Sequence, residues 1–282
     1  GPWVADILSL CRDTNTQPAG KSAIRLVKGS HIVVPRIYEG DWAYLCQNED
    51  GRVVFFLPFE QDFTLIGTTD APFAGNPATA TCSEEEEVYL LGVAARFFKQ
   101  PPAAMTVVHR FAGVRSLYDD GSRTPQDVTR DYVLKLETHP APLLSLYGGK
   151  ITTFRRLAEQ AVGQILGCLS ENDPRRKASA WTASTPLPGG NLAQGLPAFI
   201  SESTKRWPWV PAPLLARWCR QYGTRIALLL GDAHNLRDIG AELAPGLYQI
   251  EADYLRAHEF AETLEDMLWR RTRLGLRLSS TP

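Results

Sequence analysis

The sequence predicts an α+β protein: an antiparallel sheet with few helices over residues 24–144, then a small all-α domain over residues 191–282. Three observations predict it. Short runs rich in β-branched and aromatic residues recur before Gly148, each bounded by turn residues. Beyond Asn191 the apolar residues return instead at every third or fourth position. Between the two patterns lies 172–190, rich in Pro, Ser, Thr and Gly, which reads as an interdomain linker.

The elements follow in order. Residues 1–23 end in a polar stretch, Asp13–Lys21. Ile24–Pro35 carries a run of β-branched residues and reads as a strand. Tyr44–Gln47 and Val53–Leu57 flank Glu49-Asp50-Gly51, a hairpin turn signal, and Phe63–Ile66 is a further strand before Gly67. Ser83 with Glu86 three residues later is a capping box, opening a helix on which Val88, Leu91, Ala95 and Phe98 recur at helical spacing. The acidic run Glu84–Glu87 complements the positive end of that helix's dipole on a solvated face. Thr106–Phe111, Tyr132–Leu136 and Leu143–Tyr147 complete the sheet, and Thr152–Leu169 returns to helix. In the last domain, Leu214, Leu215, Trp218 and Tyr222, then Leu247, Ile250 and Tyr254, then Leu264, Leu268 and Trp269 mark successive helices.

Composition bounds the function. The chain has 282 residues, 44% hydrophobic and 22% charged, with a formal net charge of −1, which gives no general attraction to nucleic acid or to bulk membrane. Five cysteines (Cys11, Cys46, Cys82, Cys168 and Cys219) lack metal-site spacing, and their odd number fits a reducing compartment. No apolar run reaches membrane-spanning length, and none of these residues reads as a signal peptide. Trp269-Arg270-Arg271-Thr272-Arg273 with Arg277, interleaved with Leu268, Leu274 and Leu276, is a basic amphipathic tail. Such a tail reads either as a packed helix with paired arginines or as a surface for anionic lipid.

Several residues have the chemistry for a site. Leu143–Tyr147 runs into Gly148-Gly149 and then into a helix start at Lys150, Thr152 and Thr153. A strand, a glycine turn and a helix N-terminus together bring backbone amides and a helix dipole to an electron-rich ligand, and Lys150 adds a full charge there. The same pattern also serves as a plain turn with a solvated lysine. His31 is an imidazole that titrates near neutral pH, so it reads as a proton acceptor or as a hydrogen-bonded strand histidine. Alternation places Lys28 and Ser30 on the opposite strand face from Gly29 and His31. Arg115 and Arg130 each suit anionic oxygens, or pair structurally with Asp119, Asp120 or Asp131.

Taken together, GPWV at 1–4, IRLVKGSHIVVPR at 24–36, IGTTD at 66–70, FAGVRSL at 111–117 and YGGKITTFRRLAE at 147–159 resemble the flavin-dependent, quinone-reducing glycerol-3-phosphate dehydrogenases. TRDY at 129–132, LPGG at 187–190, YGT at 222–224, LLLG at 228–231 and LWRRTRLG at 268–275 extend the resemblance over nearly the whole chain, in the family's order. The resemblance implies that 1–23 and 145–171 are remnants of an FAD-binding α/β domain, and that 24–144 form the substrate domain. It implies FAD as cofactor, glycerol 3-phosphate as substrate and quinone as electron acceptor. It further implies a cytoplasmic protein, peripheral on the inner membrane, with a homodimer among the assemblies it allows.

In this reading His31, Arg115 and Lys150 are catalytic, and Arg115, Arg130 and Lys150 hold the substrate. Gly148, Gly149, Lys150, Thr152 and Thr153 meet the flavin, with Lys150 near its N1/C2 carbonyl region. The family's Gly-x-Gly-x-x-Gly dinucleotide fingerprint does not occur in these residues, so the resemblance implies a truncated form that by itself neither retains FAD nor turns over. Two rival readings stand beside it. One is an amine- or amino-acid-oxidase-type flavoenzyme; the other is a catalytically silent interaction module that docks through the helical domain.

Overall fold

A computed structural model describes residues 1–11, 24–99, 107–119, 131–139, 141–177 and 179–278. The chain divides into two compact units, Gly1–Ala180 and Trp181–Pro282.

The first unit begins with helix α1 (Val4–Cys11) and is built on a six-stranded antiparallel sheet. Its strands are β1 (Ile24–Pro35), β2 (Tyr44–Gln47), β3 (Val53–Phe59), β4 (Phe63–Gly67), β5 (Ala71–Pro72) and β6 (His109–Tyr118). β1 lies centrally, with β4, β3 and β2 in turn on one side, the short β5 pairing along that same edge, and β6 on the opposite edge. The expected hairpin between β2 and β3 is present, with Gly51 at φ +79° in its turn. The ladder of β1 with β6 runs from Ile24–Tyr118 to Val33–His109. This long ladder corrects one expectation: the strand read as Thr106–Phe111 runs instead through Gly113 and Arg115 to Tyr118, because the twelve residues of β1 offer it a continuous template. Thr106 lies outside the described residues.

One face of the sheet is covered by helix α2 (Glu84–Phe97), and the capping box is formed as expected, Ser83 and Glu86 each bonding the other's backbone amide. The buried face of α2 is Leu90, Val93 and Ala94, packed on Ile32, Val34, Val54, Phe56 and Ile66. The period read from the sequence holds, but its phase is off, since Val88 is exposed. A second correction concerns β7 (Val133–Glu137) and β8 (Leu143–Tyr147). They pair with each other as a separate ribbon rather than extending the main sheet. After β8 come Gly148 and Gly149, a 3₁₀ turn (Ile151–Thr153) and helix α3 (Phe154–Gly167).

The second unit contains α4 (Gly195–Arg206), α5 (Ala212–Tyr222), α6 (Ile226–Leu230), α7 (Gln249–Glu259), a π-helical turn (Asp266–Arg271) and α8 (Gly275–Leu278). It also holds a small hairpin of β9 (Glu242–Ala244) and β10 (Leu247–Tyr248). The all-α expectation is corrected here: Leu247 belongs to a strand end beside Gly246, whose φ of +81° makes the turn. Trp218, Leu215, Ile226, Leu255 and Met267 fill the core. Glu251 is buried within it, held by Arg217 at 2.6 and 2.7 Å and by the Tyr222 hydroxyl at 2.7 Å. Gly189, in the stretch read as linker, accepts a hydrogen bond from the Thr224 amide at 3.0 Å.

The basic tail is a packed segment. Leu268, Leu274 and Leu276 are buried, Arg270 pairs with Glu265 and Asp266 at 2.8 Å each, and Arg271 donates to the Glu259 carbonyl at 2.7 Å. Its leucines are thus committed to the protein interior. Among the described residues no helix is long and apolar enough to cross a membrane.

Candidate active site

The site is built on the open face of the main sheet, where strand registry lines up residues far apart in the chain. Leu45 pairs with Phe55, Phe55 with Gly67, Gly67 with His31 and His31 with Phe111. Side chains directly opposite one another share a face, so these five residues form one row across five strands. The row is bare at Gly67, and the His31 ring lies over that glycine where a Cβ would otherwise collide with it. On its other side His31 stacks on Phe111, ring centroids 5.0 Å apart. Phe55 and Phe111 remain 39% exposed, so apolar ring edges flank the imidazole on the solvent side of the sheet.

A second row lies next to the first. Val27 pairs with Arg115, and Gly29 with Gly113. The Arg115 guanidinium reaches back across Gly29, where a Cβ would sit 2.7 and 2.8 Å from its terminal nitrogens. Its Nη1 donates to Asp70 Oδ1 at 2.6 Å and its Nη2 to Thr68 Oγ1 at 3.2 Å. Three glycines, Gly29 of β1, Gly67 of β4 and Gly113 of β6, therefore make a shallow floor on which one imidazole and one guanidinium lie flat.

The electrostatics suit proton transfer. Burial, aided by the Arg115 charge, lowers His31 to about 4 from its ordinary 6.5. The imidazole is thus neutral near pH 7, with a lone pair to accept a proton. Its Nδ1 is buried with no hydrogen-bond partner among the described residues. Buried polar atoms are rarely left unpaired, so this nitrogen is a feature a bound molecule would satisfy.

The opposite face of β1 has a different task. Lys28 Nζ pairs with Glu86 at 2.8 Å and donates to the Thr81 carbonyl at 3.0 Å. The Ser30 amide donates to Thr69 Oγ1, and that hydroxyl donates to Glu86. Burial pushes the Glu86 carboxyl up, but hydrogen bonds from Lys28, the Ser83 amide and Thr69 outweigh it and bring it down to about 2. The alternation read from the sequence is observed: Lys28 and Ser30 serve the helix-covered side.

The Gly148-Gly149 corner is formed by two positive φ angles, +64° and +97°. A Cβ on Gly148 would lie 3.2 Å from the Asp131 carbonyl and 3.8 Å from that of Ser116, the neighbour of Arg115 in β6. The corner therefore abuts the strand that carries the guanidinium. Lys150 and Thr152 are exposed beyond it, while the Thr153 hydroxyl is spent on the Lys150 carbonyl at 2.9 Å. The structure thus brings His31 and Arg115 together and sets the glycine corner against β6. Arg130, like Asp120, lies outside the described residues. The carboxylate paired with Arg115 is Asp70, whereas Asp119 pairs with Arg25 at 3.0 Å. Nothing local in the sequence marks Asp70, Thr68, Phe55 or Phe111 as site residues, although IGTTD and FAGVRSL contain three of them.

Comparison with known proteins shows the family. The family described as FAD dependent oxidoreductase matches residues 1–155, and the C-terminal domain of alpha-glycerophosphate oxidase matches residues 180–280. The chain is 46% identical to a glycerol-3-phosphate dehydrogenase of Pseudomonas aeruginosa over 99% of its own length and 53% of that protein's. It is 40% identical to a D-erythritol 1-phosphate dehydrogenase of Brucella abortus, covering 99% of the chain and 54% of the relative. The crystal structure of glycerol-3-phosphate dehydrogenase from Bacillus halodurans complexed with FAD superposes with a TM-score of 0.77 at 28% identity, covering 99% of this chain and 53% of that one. The chain spans about half the length of the relatives it matches. With a family match extending over more than half of its residues, the chain belongs to the FAD-dependent oxidoreductases.

Proposed function

We propose that this protein takes part in the oxidation of sn-glycerol 3-phosphate to dihydroxyacetone phosphate. The observation that carries the reading is the pairing of a neutral imidazole, His31, with a guanidinium, Arg115, on one glycine-floored face. Oxidising a secondary alcohol beside a phosphate monoester needs a base for the hydroxyl proton and positive charge for the anionic oxygens. His31 takes the hydroxyl proton as the C–O bond becomes a carbonyl. Arg115, with Arg130 and Lys150, holds the phosphate and the oxygen on which charge grows.

The residues fit a flat redox cofactor. The sheet face is open at Gly113, where nothing lies within 4 Å of a Cβ position, His31 Nδ1 is unpartnered among the described residues, and the Gly148-Gly149 corner turns through two positive φ angles. FAD, when bound, supplies the acceptor for the hydride and its electron pair. Gly148, Gly149, Lys150, Thr152 and Thr153 would hold it, with the Lys150 ammonium toward its electron-rich carbonyl edge. Quinone as the final acceptor, a peripheral site on the cytoplasmic side of the inner membrane and a homodimer belong to the same reading.

A second reading shares the chemistry and changes the substrate. One relative is a D-erythritol 1-phosphate dehydrogenase, and the row that carries His31 continues through Phe55 to Leu45, both exposed. The test is the rate of dye or quinone reduction by protein expressed from its complete coding sequence, with glycerol 3-phosphate, D-erythritol 1-phosphate and sarcosine as rival substrates. The reading expects glycerol 3-phosphate to give the highest kcat/KM. A preference for sarcosine would refute the polyol phosphate chemistry altogether.

A further inference from the structure

Arg115 has five N–H donors in a rigid fork. Among the described residues two are engaged, Nη1 by Asp70 at 2.6 Å and Nη2 by Thr68 at 3.2 Å. The floor beneath is Gly29, where a Cβ would crowd both the guanidinium and Thr68 Oγ1. The fork is therefore fixed on two edges and from below. Both holding groups come from the same short segment, which also supplies the bare Gly67 under His31 and the Thr69 hydroxyl that bonds the Ser30 amide. Two side chains separated by much of the sheet's length in sequence thus take their places from one five-residue motif, IGTTD at 66–70.

We infer that Asp70 is the positioning residue of this site, aiming the Arg115 fork so that its remaining donors meet the substrate's anionic oxygens beside His31. The inference rests on the reading of Arg115 as an anion ligand. Its physical basis is that a charge-assisted hydrogen bond of this length is directional. A guanidinium on a long flexible stem, over a glycine, has little else to choose one orientation for it. Asp70 does not touch the reacting atoms. It acts through Arg115, and its effect should vanish when Arg115 is gone.

The experiment is a double-mutant cycle on protein expressed from its complete coding sequence. The variants are Asp70→Ala, Asp70→Asn, Arg115→Ala and Asp70→Ala with Arg115→Ala. Each is measured for kcat and KM with glycerol 3-phosphate, for the Kd of glycerol 3-phosphate by calorimetry, and for thermal unfolding. Misaiming a binding group costs up to about 100-fold. We expect Asp70→Ala to lower kcat/KM by about 10- to 100-fold, mostly through KM and with a matching rise in Kd. Asp70→Asn, which keeps shape and an acceptor oxygen, should recover most of the loss. In the Arg115→Ala background, Asp70→Ala should change kcat/KM by less than about twofold. Equal losses from Asp70→Ala in both backgrounds, or losses that track the unfolding temperature alone, would overturn the positioning role while leaving the proposed function intact. Full activity of Arg115→Ala would overturn both.

Discussion

The two faces of strand β1 carry polar residues one position apart in sequence and use them oppositely. On the helix-covered face, Lys28 meets Glu86 at 2.8 Å and Thr81 at 3.0 Å, and the Ser30 amide is taken by Thr69. On the open face, His31 keeps a ring nitrogen without a partner among the described residues, and Arg115 lies over Gly29 with donors to spare. The first face spends its charge on the fold. The second sets an imidazole beside a guanidinium on the uncovered face, an arrangement suited to something that is not protein. The comparison teaches that residue type alone does not separate a structural cation from a functional one; the company on its own face does.

Substitutions on the two faces should therefore fail in different ways. The largest effect is expected at His31. Changing it to Asn keeps a polar group of similar reach but removes the base, and should lower kcat by about 100- to 10,000-fold with little change in unfolding temperature. A fall in stability with kcat preserved would move His31 to the structural side. Lys28→Met should do the reverse. It leaves the half-buried Glu86 without its cation and should cost about 1–3 kcal/mol of stability in a denaturant titration, while kcat/KM stays within about twofold. Next comes a control in the second unit: Tyr222→Phe removes one hydrogen bond to the buried Glu251 and should cost about 1 kcal/mol without altering substrate affinity.

The smallest and most gradual effect is that of pH. The unfolded chain binds a proton at His31 near 6.5, whereas the folded chain does so only near 4. Acidification through that window therefore favours unfolding, and stability from this group is complete only above about pH 6.5. Glu86 adds a second loss at lower pH, between its ordinary 4.5 and about 2. In a His31→Asn variant, unfolding midpoints should change less between pH 6.5 and 4 than in the parent protein, and an identical slope would remove His31 from the account.

Much of this was legible in the sequence because it is local. The β-branched run of β1, the Ser83–Glu86 capping box and the Gly148-Gly149 turn are each written within a few residues. Alternation along β1 was enough to separate Lys28 from His31. What could not be read is what registry decides. Asp119, Asp120 and Asp131 are nearer Arg115 in the chain, yet Asp70 is its partner because β5 and β6 both pair with β1. Phe55 and Phe111 flank His31 for the same reason: each strand's place in the ladder, not its sequence, brings its rings there. The phase of α2 and the separate β7–β8 ribbon depend on packing between segments, which no short window contains.

In the proposed function the open face of β1 binds the anionic substrate and the covered face does not. Calorimetric titration of glycerol 3-phosphate into parent protein, Arg115→Ala and Lys28→Met tests it most directly. Loss of charge-assisted hydrogen bonds at Arg115 should weaken binding by about 10- to 100-fold, with Lys28→Met binding as the parent does. Equal affinities in all three proteins, or a loss confined to Lys28→Met, would contradict it.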